Sequence, residues 1–129
     1  MNHPNAIILN KIYSDFSKND LTSLMAVCAD EVTFQVAGKS KLAGKFTKET
    51  FEQNYLAPML EMTDHTLKLE VHDILASDRH AVALASQTLV RDGKTVQMRT
   101  VHVWRFENGK PVAWYEYPRD LYAYDALFS

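Results

Sequence analysis

Between Arg79 and Pro118 the chain reads HAVALASQTLVR (80–91), DG (92–93), KTVQMRTVHVWRFE (94–107), NG (108–109) and KPVAWYEYP (110–118). Three apolar-rich runs are joined by Asp-Gly and Asn-Gly, dipeptides that tolerate the positive φ demanded by two-residue hairpin turns. The pattern predicts a three-stranded antiparallel meander. With such turns Arg91 pairs with Lys94 and Glu107 with Lys110, so His102 lies opposite Ala83 on one side and Tyr115 on the other. One face then carries Ala81, Ala83, Ala85, Gln87 and Leu89, with Met98, Thr100, His102, Trp104 and Phe106, and with Ala113, Tyr115 and Tyr117. Small residues facing bulky ones either close over a core or leave a hollow with Gln87, His102, Tyr115 and Tyr117 as its polar fittings. The opposite face mixes Val82, Leu84, Val101, Val103 and Trp114 with Arg99, Arg105 and Glu116. That is too apolar for a solvated surface and too charged for a core, as in a sheet face that meets a partner subunit. A bulged second turn would exchange Tyr115 and Tyr117 for Trp114 and Glu116.

The length, 129 residues, suits one domain, 1–129, with a core that needs no staple. A lone cysteine, Cys28, has no internal partner and sits in an apolar helical pattern. It reads as a buried thiol in a reducing compartment, hence a cytoplasmic protein. No basic leader followed by an apolar run opens the chain and no run reaches bilayer length, so neither secretion nor a membrane partner is expected. The formal charge of −2 and the lack of a basic run argue against nucleic acid. His3, His65, His72, His80 and His102 are scattered and no cysteine pair exists, so no metal site is expected. Neither a Gly-x-Ser-x-Gly elbow nor a phosphate-cradling glycine loop is present, and no cofactor is implied.

Pro4 suits the first turn of a helix running to about Ser17, with Ile8, Leu9, Ile12, Tyr13 and Phe16 on one side. Asn19-Asp20 caps a short second helix through Leu21, Leu24, Met25 and Cys28. Residues 32–36 read as a strand and 37–44 as a loop. Thr47 can cap a third helix with Phe51, Tyr55, Leu56 and Met59 inward, in which Pro58 crowds the carbonyl of Asn54 and predicts a kink or break. Leu67, Leu69 and Val71 alternate with polar residues as a half-buried strand, and Ile74-Leu75 breaks the alternation as a bulge would. Asp120 can cap a final short helix. Helices followed by antiparallel strands make an α+β fold, with the helices on one side of a curved sheet.

This order of elements resembles the nuclear transport factor 2-like superfamily. Its SnoaL-like branch, which includes polyketide cyclases, is the nearest in NDLTSLMAVCADEVTF (19–34), the loop ending LAG (42–44) and VHVWRFENGKPVAWYEYPRDLYAYD (101–125). The resemblance implies a cystatin-like, cone-shaped curved antiparallel sheet wrapped around the N-terminal helices, with a pocket inside. Members include isomerases, dehydratases, cyclases and proteins of no known reaction, so function must be argued from the site. Laid along the ketosteroid isomerase pattern, the general base falls on Val36. The oxyanion tyrosine falls near Ile12, one residue from Tyr13, and the second oxyanion donor falls on His102. Two of three roles are lost, and that isomerase mechanism is not implied. SnoaL-type cyclases place an acid/base aspartate after the last strand, where Asp120 is the nearest match.

The resemblance, with a pocket face rich in aromatic and poor in polar groups, implies a cofactor-free enzyme that moves protons at carbon on a small, largely apolar ligand, with His102 and Asp120 as the catalytic groups. Tyr13, Gln87, Met98, Trp104, Tyr115 and Tyr117 are the expected substrate contacts. The outer face is expected to make a homodimer. The alternative is a non-catalytic ligand-binding or interaction module, in which His102 is a satisfied core histidine and Asp120 only a helix cap.

Overall fold

The structure, a computed structural model, describes residues 2–129. Helix α1 (Pro4–Phe16) starts with Pro4 in its first turn, where a missing N–H costs nothing. His3 Nδ1 caps it, accepting the Asn5 N–H at 3.0 Å. Helix α2 (Thr22–Val27) follows, with Asp20 accepting the Thr22 N–H at 2.9 Å. Strands β1 (Thr33–Val36) and β2 (Gly44–Thr47) form a small antiparallel pair. Residues 44–47, expected to belong to a loop and a helix cap, are thus a strand, and the third helix starts beyond Thr50. That helix opens with a π turn at Glu52–Leu56 and continues as α3 (Ala57–Met62). Pro58 lacks the N–H that would bond to Asn54, and the preceding turn widens so that the Ala57 N–H reaches Glu52 O.

Strands β3 (Lys68–Ala76), β4 (His80–Arg91), β5 (Lys94–Glu107) and β6 (Lys110–Pro118) form the body of a curved sheet ordered β2-β1-β6-β5-β4-β3. Among the described residues only β1 and β6 run parallel. The bulge in β3 falls at His72, between Val71 and Asp73, rather than at Ile74-Leu75. Helix α4 (Leu121–Leu127) closes the chain. Leu9 and Ile12 of α1, Leu24 of α2 and Phe51, Tyr55, Leu56 and Met59 of the third helix pack with Phe34, Leu89, Trp104, Phe106 and Trp114 of the sheet.

Both hairpin turns have the expected form, with positive φ at Asp92, Gly93, Asn108 and Gly109. The register beyond the second turn differs. Glu107 pairs with Lys110 and Phe106 with Pro111, but Arg105 then pairs with Ala113, leaving Val112 as an extra residue. Pro111 has no N–H for the ladder, and its carbonyl accepts the Ala29 N–H at 3.0 Å instead. The bulge reverses the parity of β6. Glu116, not Tyr115, lies beside His102, and Trp114 faces Trp104. Tyr115 and Tyr117, expected inside, lie on the outer face, where their rings stack at 6.0 Å. Leu75, Leu84 and Tyr117 are large exposed apolar groups of that face.

The loop after β1 is tied to α4. The Asp125 carboxylate accepts the Lys39 N–H at 3.0 Å and the Ser40 N–H at 3.2 Å, and Gly38, at φ +100°, leaves room for it. A Cβ on Gly38 would stand 2.1 Å from Asp125 Oδ1. Gly38→Ala should therefore cost about 1–3 kcal/mol, strain and lost hydrogen bonds together. Urea denaturation measures it, and an unchanged midpoint would show that this contact does not hold α4.

Candidate functional site

Between α1, α2, the third helix and the inner sheet face lies a cavity of about 60 Å³. Its walls are mainly apolar: Ile12 and Phe16 of α1, Leu21 and Leu24 around α2, Phe34, Phe51, Leu56 and Met59, and Leu67 and Leu69 at the start of β3. Phe16, Leu21, Leu67 and Leu69 are half-buried and form the rim. Polar groups come only from Tyr13, Tyr55, Gln87, His102, Trp104, Trp114 and Glu116.

Those groups form one chain of contacts. Tyr13 Oη lies 2.7 Å from His102 Nδ1 and accepts the Trp104 Nε1–H at 2.9 Å. His102 Nε2 lies 2.9 Å from Glu116 Oε2, although the ring N–H points off the line to that oxygen. The two groups are in close contact without an aligned hydrogen bond. Thr100 donates its hydroxyl to the same oxygen. The other oxygen, Oε1, has only the Tyr55 hydroxyl and the Gln87 amide, each at 3.5 Å. Tyr55 continues to Tyr124 Oη at 3.2 Å, which brings α4 into the network. Glu116 is 1% exposed and His102 4%. Among the described residues no lysine or arginine lines the cavity.

The two ring nitrogens of His102 thus face unlike partners, the Tyr13 hydroxyl at Nδ1 and the Glu116 side chain at Nε2; with the ring proton on Nε2, Nδ1 accepts the Tyr13 O–H. The phenols respond to the same burial. Desolvation pushes Tyr13 well up, with the Glu116 charge adding to it, although Trp104 pulls the other way. Tyr55 is raised by desolvation and then by Tyr124 and Glu116, and Tyr124 by desolvation and then by Glu116. Away from the cavity lining, burial pushes the Cys28 thiol up to about 12, which leaves it a poor nucleophile.

Of the residues singled out from sequence, Tyr13, Gln87, His102 and Trp104 meet in this cavity. Met98 packs half-buried against the core but does not line it. Tyr115 and Tyr117 point away for the reason of parity given above. Asp120 caps α4, accepting the Ala123 N–H at 3.1 Å, and is exposed outside the cavity. Val36 is buried but does not line the cavity either. Glu116, placed by the unbulged register on the outer face with Arg99 and Arg105, enters the cavity because the bulged alternative is the one that forms, and Pro111 is its signal in the sequence. Tyr55 was read as an inward helix residue, without its link to Glu116.

A SnoaL-like domain model matches residues 9–114. The chain belongs to the SnoaL-like family. No curated protein sequence matches this SnoaL-like chain. Among solved structures it is similar to Bal32a from a soil-derived mobile gene cassette, at 24% identity and a TM-score of 0.89, covering 98% of this chain and 97% of that one. TerC, co-crystallised with polyporic acid, is 18% identical with a TM-score of 0.84, over 98% of both chains. A nuclear transport factor 2-like protein from Burkholderia thailandensis is 20% identical with a TM-score of 0.84, again over 98% of both. These likenesses establish the fold, and the site must be read from this SnoaL-like chain's own residues.

The raised phenols fix the sign of an alkaline effect. In the unfolded chain a tyrosine loses its proton near about pH 10, whereas Tyr13, Tyr55 and Tyr124 keep theirs in the fold to higher pH. The unfolded state then binds fewer protons, so stability falls as pH rises above about 10. Tyrosinate absorbance from these three should appear together with loss of the circular dichroism of the fold. Tyr55→Phe should shrink that shared step; a step of unchanged size would contradict the assignment.

Proposed function

We propose that this SnoaL-like protein holds a small, largely apolar carbonyl compound in the cavity and moves a proton at the adjacent carbon, as isomerases, dehydratases and aldol-type cyclases do. One observation carries the reading. In a cavity with mainly apolar walls, an imidazole and a carboxylate stand 2.9 Å apart, with a phenol on the far ring nitrogen. Tyr13, held by Trp104, fixes the His102 tautomer. His102 then donates its Nε2–H to the carbonyl oxygen as negative charge develops there. Glu116 accepts the proton from carbon and returns it to the same or a neighbouring carbon, so that the protein ends as it began. Met98, Tyr115, Tyr117 and Asp120 have no role in this scheme.

Trp104 and Trp114, the two tryptophans of the chain, both line the cavity and supply a direct binding signal. The expected outcome is quenching of their fluorescence by small ketones, with exchange of the ketone's α-hydrogens for deuterium in heavy water. Glu116→Gln and His102→Ala should each slow that exchange by about 10²-fold or more. The second reading, a binding module without chemistry, draws on the cavity's small size, about 60 Å³, and on its mainly apolar walls. Quenching without catalysed exchange would select it. Unchanged exchange in both variants would remove these residues from the mechanism.

We further propose that the whole chain works as one domain and as a homodimer in the cytoplasm, where a buried reduced thiol is at home. The exposed Leu75, Leu84 and Tyr117 support an outer-face interface. Sedimentation at micromolar concentration should give twice the 14.7 kDa chain mass. Leu84→Asp with Tyr117→Asp should return it to one chain; a wild-type monomer would refute the interface.

A further inference from the structure

The half-satisfied carboxylate oxygen at the base of the cavity says more about what the cavity accepts. Glu116 has two unlike oxygens. Oε2 has the Thr100 hydroxyl and the His102 ring at close range. Oε1 has only two contacts at 3.5 Å, the outer limit of a hydrogen bond. A carboxylate this deeply buried is stabilised by close, charge-assisted donors, which settle at about 2.7–2.9 Å from nitrogen. Tyr55 and Gln87 leave that place unfilled. Both line the cavity together with Glu116, so a donor that displaces their two long contacts would stand at Oε1.

The surroundings restrict the donor's chemistry. Among the described residues the lining holds neither lysine nor arginine to face Oε1. The walls instead present aromatic rings: Tyr13, Phe34, Phe51, Tyr55, Trp104 and Trp114. Ring faces attract cations and a buried carboxylate repels anions, so both features favour positive charge. The remaining wall is apolar and suits a short hydrocarbon body. We propose that the cavity is a site for small primary organic ammonium ions, bound with nitrogen on Glu116 Oε1 and the alkyl group toward the rim at Phe16, Leu21, Leu67 and Leu69. The proposal rests on the cavity being a ligand site, as argued above, but not on proton transfer. Because Oε1 is the free oxygen of the proposed base, an ammonium there also blocks the exchange reaction.

Three probes of similar size and opposite charge test it: isobutylamine, protonated at pH 7, isobutanol, and isovalerate, each at constant ionic strength, read by tryptophan fluorescence. The expected order is the ammonium at least 10-fold tighter than the alcohol, with no saturable binding of the carboxylate. Glu116→Gln, checked for folding by circular dichroism, should bring the ammonium to the level of the alcohol or below. Equal or tighter binding of the alcohol, or saturable binding of isovalerate, would overturn the proposal, as would a preference that survives in folded Glu116→Gln. If that variant does not fold, the wild-type order alone decides. Neutral ketones that bind and exchange while amines do not would leave the proton-transfer reading standing and sink this one; the converse result would do the reverse.

Discussion

A proline without an N–H, two residues past a tight turn, decides which side chains of β6 meet the core. Pro111 cannot donate to β5, its carbonyl is taken by Ala29, and Val112 is squeezed out of register. Strand side chains alternate with a period of two, so one extra residue moves the rest of the strand to the other face. Glu116 is carried inside and Tyr115 and Tyr117 outside. The place of Trp114 and Glu116 in the cavity, and of Tyr115 and Tyr117 on the outer face, follows from that single insertion.

Putting a carboxylate where Glu116 sits costs several kcal/mol unless partners replace the lost water. The partners come from most of the architecture: Thr100 and His102 from β5, Gln87 from β4 and Tyr55 from the π turn. Behind them stand Tyr13 from α1 and Tyr124 from α4. Folding and site assembly are therefore one event. The widened turn before Pro58 belongs to the same logic, since it is the segment that carries Tyr55.

Much of this was legible in the sequence, and the losses have physical causes. The two Gly-containing turns, the parity of β4 and β5, α1 with its proline start, and the break near Pro58 all depend on local chemistry that a short window contains. From that parity alone Gln87, His102 and Trp104 could be placed together, and the helical stripe of α1 supplied Tyr13. The partner of His102 stayed open between Tyr115 and Glu116, because a bulge is a competition between the turn and the first residues of the strand, and the Ala29 contact that steadies it is remote in sequence. Strand β2 was missed since GKFT is short, polar and mostly exposed, and is held by pairing with β1 rather than by burial.

The network also explains why the isomerase pattern fails along this chain without leaving the cavity inert. Val36, where that pattern needs a base, is an apolar residue outside the cavity lining, while a carboxylate enters from its register partner on β6, Glu116, one strand nearer His102. Tyr13, one residue out of step in the count, still reaches the imidazole, because its position on a helix is set by the packing of α1 rather than by numbering. A family fold fixes where the polar end of the cone can lie. Which strand delivers the charge there is left to a local irregularity, and in this protein that irregularity is the bulge at Val112.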